Sequence, residues 1–283
     1  MKPVSSPVPT AVTDNPWQAL RQFTAARIAL GRSGVSLPTQ PQLAFQLAHA
    51  RARDAVHLAL DVPQLLHDLE SAGLSQTAKT LVLESAAADR LQYLQRPDLG
   101  RRLSDASCGR LNALPARAMA RGFDLAVVMA DGLSALAVAQ QAVPLLRALQ
   151  PYIDAAQWSL APLAIVRQGR VAVGDEIGQL LGARALLLLI GERPGLSSPD
   201  SLGVYLTWMP RVGLTDASRN CISNIRPAGL SCDEAAFKAH YLLAEMQRRQ
   251  LSGVLLKDET RLNTSLPSAP VAADVNFLLE GGS

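Results

Sequence analysis

The chain has 283 residues, nearly half of them apolar, and a formal net charge of +3. That length holds one large domain or two small ones with a real core. The charge is too slight and dispersed, and Trp and Tyr too few, for a nucleic-acid surface, and no apolar run approaches the roughly 20 residues of a membrane span.

Residues 1–15, rich in Pro, Ser, Thr and Val without periodicity, read as a flexible arm. Residues 16–112 read as a helical region, with candidate helices at 17–30, 40–60, 62–72 and 76–90. In TQPQLAFQLAHARARDAVHLAL, Leu43, Leu47 and Ala50 recur at helical spacing among His49, Arg51, Arg53 and His57, the pattern of an amphipathic helix with a basic side. In RPDLGRR, Arg96, Arg101 and Arg102 either grip a phosphate or pair with Asp98 and Asp105.

Residues 113–255 alternate short apolar runs with helical stretches. Strands are expected at 123–130, 162–167, 184–190 and 204–208, and helices at 133–149 (interrupted near Pro144), 174–182 and 231–251. Ser231 and Glu234 have the spacing of a capping box at the start of the last helix. Near-continuous apolar strands alternating with helices predict an α/β domain. Its sheet would be mostly parallel and Rossmann-like, with helices on both faces and the helical region before it. Residues 256–283 read as a tail. Cys108, Cys221 and Cys232 form no CxxC pair, and the N-terminus has no apolar core of signal-peptide length, so a reducing, cytoplasmic setting is expected.

In open parallel sheets, ligands bind outside the carboxyl ends of the strands. Four unusual loops fall at that rim if all the strands are parallel: Asp131-Gly132, QGRVAVGDE, GERPGL and PRVGLTDASRNCISN. No GxGxxG follows the first strand, no GxxxxGK[ST] occurs, and no nucleophile elbow or paired-histidine metal spacing is present. His49, His57, His67 and His240 lie in predicted helices away from the rim, so a general base would have to be Glu192, Asp131 or Asp175. Asp131 before Gly132 also suits a turn or helix cap, Cys221 a buried small hydrophobe, and Val171 a core position. Glu192 suits either a surface pair with Arg193 or a helix cap, or else acceptance of hydrogen bonds from an amide- or hydroxyl-rich ligand. The rim reads as a binding surface poor in catalytic groups.

Several motifs carry a resemblance. TAARIALGRSG with LAFQLAHARARDAV, YLQRPDLGRRL, DGLSALAV, GDEIGQLLGAR with LLIGERPGLSSPDSLGVY, and RNCISNIRPAGLS closely resemble, in order, the small subunit of ethanolamine ammonia-lyase over residues 16–255. The resemblance implies a carbon–nitrogen lyase active only as a complex with a large subunit. It implies adenosylcobalamin as cofactor and radical conversion of ethanolamine to acetaldehyde and ammonia. The large subunit supplies the substrate pocket, and this chain covers the cofactor at their interface. By the same resemblance Val171, Glu192 and Cys221 contact cobalamin, with no catalytic residue and no metal ligand on this chain. The chain has no DxHxxG motif, consistent with the base-on cofactor that the resemblance implies. The cytoplasmic expectation then extends to enclosure in a bacterial microcompartment. Two other readings stand beside it: a self-contained doubly wound enzyme with a nucleotide-like cofactor, and a purely structural assembly subunit.

Overall fold

A computed structural model describes residues 11–74, 79–114 and 122–260. Six strands form one sheet in the order β1-β3-β2-β4-β5-β6: β1 (Leu81–Glu84), β2 (Phe123–Ala130), β3 (Ala164–Arg167), β4 (Ala183–Gly191), β5 (Leu202–Trp208) and β6 (Arg219–Ile225). The pairs β1–β3, β3–β2 and β2–β4 are parallel, whereas β4–β5 and β5–β6 are antiparallel. The fold is α/β, but its sheet is mixed rather than mostly parallel and Rossmann-like. Residues 192–201, which join β4 to β5, are fewer than the dozen or more that a parallel crossover needs. β5 therefore returns as a hairpin partner.

Alternation along β2 serves two cores. Leu125, Val127 and Met129 enter one cluster, and Ala126, Val128 and Ala130 the other. All six are buried, which is why the run carries almost no polar residue. The first core is closed by three helices: α2 (Val62–Ser71), α5 (Ala135–Ala156) and α7 (Cys232–Arg249). The second is closed by α4 (Asp105–Asn112) and α6 (Val173–Leu180). The remaining helices are α1 (Thr39–His57), of which Ala48 and Ala55 are buried, and the short α3 (Arg90–Gln95).

The helix starts follow capping chemistry. Asp61, Ser134 and Ser231 accept N–H bonds from Gln64, Ala137 and Glu234, and the Ser231–Glu234 capping box is complete. α5 runs through Pro144 and Pro151 without interruption, carried by a buried face that includes Leu145, Leu149 and Ile153.

Other expectations change. The candidate helix at 17–30 reduces to a 3-10 helix at Pro16–Gln22. The candidate helix at 76–90 contains β1, and β6 occupies a stretch read as loop.

Candidate functional site

With β5 reversed, the rim at the carboxyl ends of β1–β4 also receives the start of β5 and the end of β6. Gly191 pairs with Leu202, and Leu202 with Ile225. The loops after β2, β3 and β4 thus share one end of the sheet with Ser201 and Asn224, while PRVGLTDAS lies at the opposite end. That departs from the convergence expected of parallel strands.

Two glycines let the rim close. Gly132 has φ +58°, and a Cβ there would stand 2.3 Å from the Gly191 carbonyl oxygen. A Cβ on Gly191 would stand 2.0 Å from the Ser134 carbonyl oxygen and 2.6 Å from that of Asp131. The close approach is locked by the Leu133 N–H donating to the Gly191 carbonyl at 3.0 Å.

Beside these glycines lies a cleft of about 400 Å³, lined among others by Tyr93, Arg170, Val171, Glu192, Arg193 and Tyr205. Glu192 follows β4 directly. Its carboxylate accepts the Ser201 hydroxyl and, at 3.3 Å, the Asn224 N–H, and its own N–H donates to the Ser201 carbonyl at 3.0 Å. Gly203 leaves room for it, since a Cβ there would meet Glu192 Oε1 at 3.0 Å. Glu192 is therefore neither paired with Arg193 nor a helix cap. The loop beyond it is pinned by Arg27 to the Leu196 carbonyl at 3.1 Å and by Arg226 to the Ser197 carbonyl at 3.1 Å.

Val171 is half-buried, packing on the second core while lining the cleft. Cys221 differs from its expected setting. It lies within β6 opposite Tyr205, on the sheet's outer face, and is exposed rather than a buried hydrophobe. Cys221 is the register partner of Tyr205 across β5 and β6, and Tyr205 itself lines the cleft. Shielding of the sulfur pushes the thiol up, opposed by the neighbouring Tyr205 hydroxyl and reinforced by Glu192, so it is no ready thiolate. The Tyr205 hydroxyl is raised by burial and by Cys221.

The remaining acids are structural. Asp131 is buried, and its Oδ1 accepts the Gly169 N–H at 3.1 Å. Arg90 Nη1 lies 3.7 Å from its Oδ2. Burial raises this carboxyl, against the Gln168 N–H and the Arg90 charge. Asp175 is buried behind the rim in an ion pair with Arg219. Neither is placed to act as a base on a ligand in the cleft. Arg96 pairs with Asp98 at 2.7 Å on the surface, and Arg102 pairs with Glu176 at 2.9 Å rather than with Asp105. His49 and His57 lie on α1, His67 on α2, and His240 on α7, where it stacks on Tyr152 at 4.6 Å. Among the described residues, no group of His, Cys, Asp and Glu could hold a metal ion, and no helix is long and apolar enough to cross a membrane.

Sequence reasoning missed Tyr93 and its two arginines. Tyr93 is fully buried, with Arg90 and Arg170 over its ring at 4.7 and 4.3 Å. Its hydroxyl donates to the Gly169 carbonyl at 3.2 Å, and burial, opposed by Arg170, pushes it up to about 12. No local pattern marked it: Arg170 lies 77 residues from Tyr93, and the arginines that share its stretch YLQRPDLGRRL are not the ones over its ring.

The sequence model of the ethanolamine ammonia-lyase light chain (EutC) family matches residues 14–257, a stretch that includes every rim residue above. The chain belongs to this family. It is similar to the ethanolamine ammonia-lyase small subunit of Ralstonia nicotianae, with 62% identity over 250 residues that cover 88% of this chain and 91% of the relative. The small subunit of Pseudomonas aeruginosa (strain UCBPP-PA14) is 58% identical over 277 residues, 96% of this chain and 97% of the relative. That of Pseudomonas syringae pv. tomato is 56% identical over 286 aligned positions, covering 99% of this chain. As an ethanolamine ammonia-lyase small subunit, the chain contributes a rim whose acids are held by its own residues and a cleft walled by one subunit.

Proposed function

We propose that this small subunit helps to bind adenosylcobalamin at its interface with the large subunit of ethanolamine ammonia-lyase. The complex, and not this chain alone, is the carbon–nitrogen lyase that converts ethanolamine to acetaldehyde and ammonia. Val171, Glu192 and Cys221 are the proposed cofactor contacts, and residues 113–255 the part that covers it. A cytoplasmic location, with or without a surrounding microcompartment, belongs to the same proposal.

The observation that carries this reading is the chemistry of the cleft. Its backbone at Gly132 and Gly191 has no room for side chains, Val171 offers an apolar contact, and Glu192 and Tyr205 offer polar ones. That mixture suits a corrin, whose broad apolar face is rimmed by amides. Bound adenosylcobalamin supplies the radical chemistry. The protein's part is binding and orientation: Glu192, held by Ser201 and Asn224, keeps its second oxygen beside Gly203 for an amide or hydroxyl donor. Cys221 and Tyr205 extend the same surface along β5 and β6, where the large subunit would exclude water.

A self-contained enzyme is disfavoured because two of the three candidate bases, Asp131 and Asp175, are buried against Arg90 and Arg219, and the third, Glu192, is held by Ser201 and Asn224. The test is acetaldehyde formation from ethanolamine and adenosylcobalamin, with this chain alone, the large subunit alone, and both. Activity confined to the mixture is expected, and turnover by this chain alone would refute the reading.

A further inference from the structure

Arg170 is a cation built into the cleft without an anion of its own. Its guanidinium lies over the Tyr93 ring at 4.3 Å and donates to the Tyr93 carbonyl at 3.2 Å, and its backbone N–H donates to the Gly100 carbonyl at 2.7 Å. Gly100 makes the space for its stem, because a Cβ there would stand 2.7 Å from Arg170 Cγ. Its Nε is buried and has no hydrogen-bond partner. Among the described residues no carboxylate lies within ion-pair distance of Arg170 or of Arg193, the other arginine lining the cleft. Nearby Arg90 is already engaged with Asp131, the Gly132 carbonyl and the Val56 carbonyl. Glu192, the one carboxylate lining the cleft among the described residues, has its Oε2 held by Ser201 and Asn224 and forms no ion pair with Arg170.

An arginine fixed on an aromatic ring, with donors left over beside a ligand cleft, is a receptor for a planar or forked oxyanion. We infer that Arg170 recognises the phosphodiester of the cofactor's nucleotide loop. The inference rests on the proposed binding of cobalamin in this cleft. The phosphodiester is the fixed negative charge of a corrinoid otherwise decorated with neutral amides, so it is the group that an unpaired arginine selects. Arg170 is thus a binding residue beyond Val171, Glu192 and Cys221. Tyr93 and Gly100, which lie far from it in sequence, are its positioning residues.

The experiment measures the affinity of the assembled complex of this chain and the large subunit for cyanocobalamin and for dicyanocobinamide, which lacks the nucleotide loop. Titration is followed by the visible absorbance of the corrin, independently of turnover. Arg170→Met keeps the stem that packs on Tyr93 and removes the fork. It should weaken cyanocobalamin about ten- to a hundredfold, the scale of one charged hydrogen-bonded contact, and leave cobinamide within about twofold. Arg170→Lys restores the charge without the fork and should fall between the two. Equal loss for both corrinoids, no loss for either, or subunits of either variant that no longer associate would overturn the inference and seat Arg170 against the large subunit or in packing alone. If cobinamide binds too weakly to titrate, the variants decide: Arg170→Lys no tighter than Arg170→Met for cyanocobalamin overturns it as well. A wild-type complex that takes up no cobalamin would instead refute the proposed function itself.

Discussion

The ion pair between Asp175 and Arg219 ties α6 to the first residue of β6, two residues before Cys221, and so sets where that strand lies. Both side chains are 2% exposed, but their environments are unequal. Arg219 also donates to Asp216 at 2.9 Å, a residue whose side chain is 97% exposed, and to the Leu214 carbonyl at 3.1 Å. Asp175 has Arg219 for its Oδ2, and its buried Oδ1 has no partner. Replacing Arg219 by Met should therefore strand a buried carboxylate and cost about 3–5 kcal/mol. Asp175→Asn leaves Arg219 two acceptors and should cost about 1–3 kcal/mol. The double variant removes both charges and should cost less than Arg219→Met alone, giving a coupling of at least about 1 kcal/mol. Urea unfolding followed by the fluorescence of Trp158 and Trp208 reads all three.

The pH dependence supplies a second signature. Burial raises the Asp175 carboxyl, and the Arg219 charge opposes that rise. Without Arg219 the folded-state pKa climbs further above the unfolded value. The penalty is then full above that raised pKa and is relieved as pH falls and the buried acid takes up a proton. The deficit of Arg219→Met relative to wild type should shrink on going from pH 8 to pH 5, and that of the double variant should not. A deficit independent of pH, or additive single variants, would refute the account of this pair.

Gly191→Ala places a methyl group against the backbone carbonyl oxygens of Ser134 and Asp131 and should destabilise the chain by about 3 kcal/mol or more, whereas Gly182→Ala meets nothing within 4 Å. Because Gly182 has φ +67°, it tests conformational strain alone, and its thermal shift should be the smaller of the two. Burial acts to raise the Glu176 carboxyl, but the Arg102 and Leu103 donors lower it below the ordinary 4.5. Its contribution is therefore present above the unfolded pKa and lost as pH falls through the folded one. The stability gap between wild type and Glu176→Gln should be open at pH 7 and close below about pH 4 in thermal melts. Ser201→Ala removes the hydroxyl that fixes Glu192 and should weaken cobalamin binding by the assembled complex about threefold to tenfold, the scale of one hydrogen bond, without dissociating the subunits.

Much of this architecture was legible in the residues. β2 and β4 are apolar runs buried on both faces, and the Ser231–Glu234 spacing marked the start of α7. β6 was hidden because one of its faces is open: Cys221, Ser223 and Asn224 are exposed, so RNCISNI carries the polarity of a loop. β1 has four residues, too few to show a period amid helical neighbours. The direction of β5 is not written in its composition, although the brevity of residues 192–201 did encode it. At the site, Val171 and Glu192 line the cleft from the loops that follow the parallel strands β3 and β4. Cys221 reaches the same surface through Tyr205, from a strand rather than a loop. The Tyr93–Arg170 stack joins α3 to the loop after β3, and no local pattern announces a contact of that sequence separation.

The central claim, that this subunit contributes part of the cobalamin site, is tested most directly by cofactor affinity in the assembled complex with Glu192 replaced. Equilibrium titration of cobalamin should show Glu192→Ala binding about tenfold more weakly than wild type while the subunits stay associated. Unchanged affinity in an intact complex would contradict the claim and leave this chain a purely structural role.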